Sequence, residues 1–573
     1  MLYKLLAAAL SMASLTSIAL TNERETPCEN RETATPTHHK MQILYLAKAG
    51  DYSKAIDLYQ TYYNCSKTHD FAILEELGIT FLEDGSRSPL PEVQLMSIFG
   101  TGIAGLSSSW HILERGIASP QPQTQLATLQ VLARIQDDRS EQLLTKAMAS
   151  DFLQTRLEAS FILSLRKSHS ATGQIEALMY RLPHPMRYFF PEFFAIIGTS
   201  DAVSTLRHLM NDSFHAIRIE AILSAARHGR DDLLPTIRSA ASHINVAEQE
   251  ACASALGYLK DSKSIKRLKK LSHSSSTSVQ LAALRSLHLL GDNTVKEKIL
   301  KIAQEKNVFA IALLGDIEGG EEILSELSHE DDIHIRFNSM LSLLKRKDRR
   351  ALHAIKEFLL RDSKDLGYQP QTSIGSSLKA WKVIPSLAQH LEESFYDLRT
   401  LSISVRERML TECLELQESD FLQVATLLFE AKQHDLIPLL VTLLENLQTP
   451  AAISLLKEKM QTAGAPFIRT YCNLALFRLK QPGPYEENIT SWIKQNMSQK
   501  LIEFRPTLPW NVRLVDNVFT MTPEESSGLL IQCYEALAQR HDEKSIDFLL
   551  TALKEGNPKN RAVVAGILVR ALQ

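Results

Sequence analysis

Along Ser275–Asp292, SSTSVQLAALRSLHLLGD, the residues Val279, Ala283, Leu287 and Leu290 are apolar. Steps of four, four and three put them on one stripe of a 3.6-residue helix. Leu281, Ala282, Leu284 and Leu289 widen the stripe beyond what a helix lying on a single surface needs, so neighbours are expected on more than one side. Ser275–Ser278 offer N-caps, and Gly291 stands where a left-handed residue would end the helix.

The same pattern recurs through the chain. Val93, Thr124 and Thr155 occupy equivalent places 31 residues apart, and Ile217 falls 62 after Thr155. TRLEA at 155–159 and IRIEA at 217–221 nearly coincide, and the copy between them, HPMRYFFPEFFAIIGTSD, is aromatic-rich with a bend expected at Pro191. EQEACASALGYLKDS and VQLAALRSLHLLGDN continue the series, followed by a shortened FAIALLGDIEGG and by IRFNSMLSLLKRKD from Ile335. A helical pattern at this period predicts an all-α, right-handed solenoid of antiparallel helix pairs, in which each repeat contacts only its neighbours.

Two stretches break the period. Residues 361–395 hold Pro370, Gly375 and Trp381, and residues 481–526 are rich in proline and aromatics; both are expected to be irregular insertions. Further helical repeats fill 396–480, and 527–573 reads as a C-terminal cap closed by a polar-faced helix over 559–572. At the other end, MQILYLAKAGDYSKAIDLYQTYY has two apolar-periodic runs joined at Ala49–Tyr52, with Ala55, Ile56 and Tyr59 on the second. It resembles a tetratricopeptide hairpin, here expected to cap the array over 41–90.

The repeats from Val93 to about Leu360, and more loosely from Val405 to Leu479, resemble the HEAT family and its shorter bacterial HEAT-like subtype. The residues that carry the resemblance are an Asp followed by Ile, Val or Thr and an Arg that opens the second helix: Asp151 with Arg156, Asp212 with Arg218, and Asp332 with Arg336. Arg406 and Arg469 repeat the second half alone. The resemblance implies that each Asp and Arg join a polar ladder between neighbouring repeats.

Composition narrows the functional classes. The 573 residues carry 63 basic and 66 acidic side chains, a net charge of −3, which gives no bulk attraction to nucleic acid or anionic lipid. The N-terminus MLYKLLAAALSMASLTSIAL has Lys4, an apolar run from Leu5 and small residues at Ser17 and Ala19: the layout of a secretory signal peptide over 1–19, with a disordered lead-in at 20–40. The stretch is short for a membrane span, and export to a bacterial periplasm or beyond is expected, with no span after cleavage. Cys28 and Cys65 flank the first hairpin and are a conceivable disulfide; Cys252, Cys413, Cys472 and Cys533 sit in apolar helical patterns and read as buried hydrophobes.

No catalytic, cofactor-binding or metal-binding constellation emerges. FGTGIAG at 99–105 satisfies GxGxxG, but it lies in register with the repeats and no parallel-sheet pattern follows. His329 and His334 stand five apart, not the four that the zinc-protease helix requires. The basic runs 260–270 and 345–350 read as solvated helix surface, or next as a face for an acidic protein. Tyr485, Trp492, Phe504 and Trp510, in a proline-rich stretch, are expected either to bury against the last repeats or to anchor a protein partner. The chain is therefore read as an exported, non-enzymatic scaffold for protein–protein interaction. The alternative is an enzyme or enzyme accessory binding a small ligand, because HEAT-like repeats also resemble those of phycobilin lyases.

Overall fold

A computed structural model describes residues 36–105, 109–360, 406–431, 434–502 and 523–573. The expected signal peptide, Cys28, the 361–395 insertion, Phe504 and Trp510 lie outside the described residues.

The described chain is helical, with no strand among the described residues. Its first part forms α1 (Pro36–Lys48), α2 (Tyr52–Ser66), α3 (Phe71–Arg87), α4 (Pro91–Ala104), α5 (Trp110–Ile117), α6 (Pro122–Leu132) and α7 (Asp138–Ala147). Next come α8 (Leu153–Leu165), α9 (Thr172–Arg181), α10 (Phe190–Ile197), α11 (Ser200–Leu209), α12 (His215–Arg227), α13 (Leu234–Ala240) and α14 (Val246–Tyr258). The series continues through α15 (Ile265–Leu271), α16 (Thr277–Leu289), α17 (Lys296–Gln304), α18 (Val308–Leu314), α19 (Glu321–Leu327), α20 (Ile333–Lys345) and α21 (Leu352–Leu360). The last are α22 (Glu418–Glu430), α23 (Ile437–Leu447), α24 (Pro450–Thr462), α25 (Pro466–Arg478), α26 (Tyr485–Asn496), α27 (Pro523–Ala538), α28 (Glu543–Glu555) and α29 (Arg561–Ala571). They make two compact units: one spans 144–428, and the other combines 1–143 with 429–573.

In the 144–428 unit the helices α8, α10, α12, α14, α16, α18 and α20 stack each on the next, and the alternate helices pack against them as a second layer. The sequences differ accordingly. In α14 every residue from Glu250 to Gly257 is buried, whereas α17 buries only Ile299 and Ala303. Small residues let the stacked helices approach, and buried serines satisfy carbonyls across the gap: Ser286 Oγ donates to Ala253 O (2.7 Å) and Ser342 Oγ to Ile311 O (2.9 Å). The 31-residue period reappears in the backbone. Lys167, Gly198, Gly229, Lys260 and Gly291 have φ of 54°, 69°, 66°, 54° and 91°, each 31 residues beyond the last, and each ends a stacked helix in the left-handed region.

In the other unit, segments far apart in sequence meet. Helix α29 packs on α3 and α4, with Arg570 Nη1 donating to Ile103 O (3.5 Å) and Gln573 Nε2 to Ala104 O (3.0 Å). Glycines set the distance: a Cβ on Gly566 would stand 2.1 Å from Gly100 O, and one on Gly100 would stand 2.2 Å from Ala562 O. The expected polar-faced closing helix is therefore not found. Ala562 to Val569 are all buried, because α29 is covered by the first helices of the array. Contacts are accordingly not confined to sequence neighbours.

Other expectations hold or shift. The first hairpin forms, turns at Gly50 (φ 82°) and buries Ala55, Ile56 and Tyr59, but α1 begins at Pro36, inside the expected lead-in. Helix α2 also packs on α28. Pro191 causes no mid-helix bend; it opens α10 after a 3₁₀ turn at His184–Phe189, where it leaves no interior hydrogen bond unmade. In the reference repeat Val279, Ala283 and Leu287 are buried, but Leu289 points to solvent at 45% exposure.

Candidate functional site

The turns between paired helices are held by one recurring bond. A long polar side chain in the first turn of the second helix reaches back six residues to a main-chain carbonyl. Gln94 donates to Ser88 O (2.8 Å), Gln125 to Ser119 O (2.7 Å), Arg218 to Asp212 O (2.6 Å), Gln249 to His243 O (2.6 Å) and Arg336 to Glu330 O (2.9 Å). Arg469 makes the same bond to Ala463 O at 3.4 Å. Among the described residues no bond joins the carboxylate of Asp151, Asp212 or Asp332 to Arg156, Arg218 or Arg336. Asp332 instead accepts from the amides of His334 (2.8 Å) and Ile335 (3.1 Å), and Asp212 from that of Phe214 (2.8 Å). Donor-rich helix starts satisfy Asp212 and Asp332, and main-chain carbonyls satisfy Arg218 and Arg336, which also reach the carboxylates of Glu248 and Glu357. Asp151 is exposed and Arg156 half-buried.

Two of these turns frame a cleft in the 144–428 unit. A cavity of about 370 Å³ is lined by Asn211, Asp212, Arg218, His243, Ile244, Asn245 and Glu248. Glu248, its side chain 1% exposed, anchors the second turn to the first: Arg218 Nε donates to Oε1 (3.0 Å), and His243 Nδ1 lies 2.9 Å from Oε2. Burial disfavours the charge on Glu248, yet the bonds from Arg218 and His243 outweigh it and hold the carboxyl below its ordinary range. His184 Nε2 lies 2.8 Å from Asp212 Oδ1 and its ring edge meets Phe214, which extends the frame to a third turn. On the rim, Phe214 is 42% exposed, Val246 49% and Ile244 96%.

Beneath the aromatic-rich repeat lies a buried ionic cluster. Arg227 bridges Glu192 (2.8 Å) and Glu220, while His228 Nε2 lies 2.6 Å from the other oxygen of Glu192. The two carboxyls are driven apart. Desolvation, reinforced by the charge of Glu192, raises Glu220; burial also disfavours the charge on Glu192, but His228 and Arg227 lower it. Nothing in the sequence pattern singles these residues out, because a charged residue on a buried helix face looks like an interruption of the stripe.

The other sequence-derived sites resolve as structure. Tyr485, 5% exposed, sits in the first turn of α26, and Trp492 lies half-buried on the same helix, so the expected insertion is helical here and Tyr485 is core. Asn488 and Asn496 are also on α26 and bond to Asn473 Oδ1 and Trp492 O. In the basic run 345–350, Lys345, Arg346, Lys347, Arg349 and Arg350 pair with Asp316, Glu321, Glu415, Asp420 and Asp348. FGTGIAG ends α4, where Gly100 is the close-approach residue and Gly105 (φ 65°) the cap. Cys252, Cys413, Cys472 and Cys533 are buried, with the thiols of Cys413, Cys472 and Cys533 pushed up to about 12 by desolvation; Cys65 is exposed. Among the described residues no group of His, Cys, Asp and Glu is placed to hold a metal ion, and no helix is long and apolar enough to cross a membrane.

These features define a helical-repeat protein. No family model matches the chain, and no curated protein matches it. Among solved structures, the complex of CpcE and CpcF of phycocyanin lyase from Nostoc sp. PCC7120 aligns at 17% identity, over 47% of this chain and 94% of that one, with a TM-score of 0.25. An engineered protein aligns at 13% identity, over 78% of this chain and 100% of that one, with a TM-score of 0.19. Neither alignment assigns a role to a residue.

Proposed function

We propose that the protein is an exported, non-enzymatic scaffold of the short HEAT-like type that binds a protein partner along the turn edge of its 144–428 unit. The observation that carries this reading is the rim of the cleft. Phe214, Ile244 and Val246 expose large apolar surfaces on consecutive repeats, while the polar groups between them are engaged with one another and with the backbone. A solvated turn has no use for an isoleucine at 96% exposure; a partner that covers it gains roughly 1.5–3 kcal/mol per buried side chain. Loops held in place by a rigid scaffold disproportionately carry binding residues.

The export part of the reading rests on the Lys4–Ala19 pattern; N-terminal sequencing of protein from the envelope fraction tests it. The binding part is tested by co-purifying the full chain from its native source beside Phe214→Asp and Ile244→Asp variants. A partner that leaves with both substitutions, at unchanged melting temperature, supports the interface; one retained by both places binding elsewhere. The rival reading, an enzyme or accessory holding a small ligand, draws on the cavity, whose volume of about 370 Å³ is ligand-sized. A coloured or nucleotide ligand in the same preparation, lost on Arg218→Ala, would favour it.

A further inference from the structure

The two basic runs of the sequence have opposite fates. The run 345–350 is consumed by ion pairs. The run 260–270 sets six cations, Lys260, Lys263, Lys266, Arg267, Lys269 and Lys270, against one carboxylate, Asp261. That carboxylate is itself taken: Arg238 holds it at 2.7 Å from the preceding repeat. Lys269, 31 residues after Arg238, makes the equivalent bond to Asp292 at 3.2 Å. Among the described residues the other five have no ion pair; of these, Lys263, Lys266 and Lys270 stand at i, i+3 and i+7 along the turn and helix α15, and Lys301 stands 31 residues after Lys270 on α17. All four are exposed, and among the described residues none of them has an ion pair.

We propose that this face docks an acidic segment of a partner protein, with carboxylates spaced to meet Lys263, Lys266 and Lys270 and the next repeat's Lys301. Unpaired like charges on one short helix repel each other, and an array that neutralises its other basic run leaves this one open. The occupant is a short peptide segment rather than a nucleic acid. Helix α15 is seven residues long, about 10 Å, and spans few phosphates. Exposed Asp231 and Asp232 before α13, and Glu297 and Glu305 around α17, flank it with negative charge that a continuous polyanion would have to cross. Two exposed apolar residues one repeat apart stand at the stacked-helix ends, Tyr258 (42%) before the turn to Lys263 and Leu289 (45%) before the turn to α17, and offer purchase to the segment's flanks.

The face is separate from the cleft at Ile244, so either can fail alone. The test uses the full chain, a fluorescent helical peptide with glutamates at i, i+3 and i+7, the same peptide with glutamines, and a single-stranded oligonucleotide, each followed by anisotropy. The glutamate peptide binds and the glutamine peptide does not. Lys266→Glu with Lys270→Glu weakens binding about tenfold at low salt, and that difference shrinks at about 0.3 M salt. The same reversal at Lys345 and Lys347, already paired, leaves binding within about twofold. Equal loss in both double variants, no loss in either, or tighter binding of the oligonucleotide than of the peptide overturns the proposal. Circular dichroism melts of both double variants establish that each is folded.

Discussion

Replacing Gly566 or Gly100 by alanine pits two effects of opposite sign against each other. In a helix interior the change relieves glycine's backbone entropy and stabilises by roughly 0.5–1 kcal/mol where space allows. Here it does not. The new Cβ would stand 2.1 Å from Gly100 O or 2.2 Å from Ala562 O, against an ordinary carbon–oxygen contact of about 3.3 Å. Helices α29 and α4 would have to part by about 1.2 Å, and a gap of 0.5–1 Å already forfeits a quarter to a half of each contact's attraction. Overpacking of this kind costs about 1–3 kcal/mol. A net loss of about 1–2 kcal/mol is therefore expected for either single variant, read as a lower urea midpoint at unchanged slope. One separation relieves both clashes, so the double variant should cost less than the sum of the two. Gly173→Ala, with nothing within 4 Å of its Cβ, is the control and should be neutral or stabilising. If Gly566→Ala and Gly100→Ala behave like Gly173→Ala, the close approach of α4 and α29 is refuted.

Lys260 holds φ at 54° where Gly229 and Gly291 hold equivalent places, so Lys260→Gly should raise stability by about 0.5–1 kcal/mol and Gly291→Ala should lower it by a similar amount; opposite or null shifts in the denaturation midpoint would show that the left-handed residues are not strained. In the buried cluster the two carboxyls should respond with opposite sign. Glu220, raised by burial, contributes stability below its unfolded value near 4.3 and loses it as pH rises through the folded value, so Glu220→Gln should be at least as stable as the parent at pH 7. Glu192, lowered by His228 and Arg227 against burial, contributes above the unfolded value and loses it as pH falls, so Glu192→Gln should cost about 3 kcal/mol at pH 7 and progressively less in acid. Melting curves between pH 4 and 8 separate the two.

What the sequence revealed was whatever repeats. The 31-residue register, the stacked helices with wide apolar faces, Gly291 at its cap and the first hairpin all leave periodic traces. The misses share a different cause. Gln94, Gln125 and Gln249 do the work of Arg218 and Arg336, yet the shared acceptor is a main-chain carbonyl, which no side chain announces. Prolines suggested irregular chain throughout 481–526, yet over Tyr485–Asn496 the chain is helical and Pro484 stands at the N-cap, much as Pro91, Pro122, Pro450 and Pro466 stand in first turns elsewhere. A polar face for the last helix was expected because nothing local says that α3 and α4 will cover it.

The meeting of α29 with α4 also sets an order in time. Arg570 and Ile103 are 467 positions apart, so the surfaces of α3 and α4 that receive α29 exist long before their cover does. At a synthesis rate of roughly 5–20 residues per second, that interval is about 25 to 90 s. The 144–428 unit has its whole sequence in hand during the wait, whereas the other unit lacks α29 until the wait is over. A newly made chain therefore passes through a stage in which the surfaces of α3 and α4 that α29 covers are still open, although α1, α5 and α6 can already pack on the other sides of the pair.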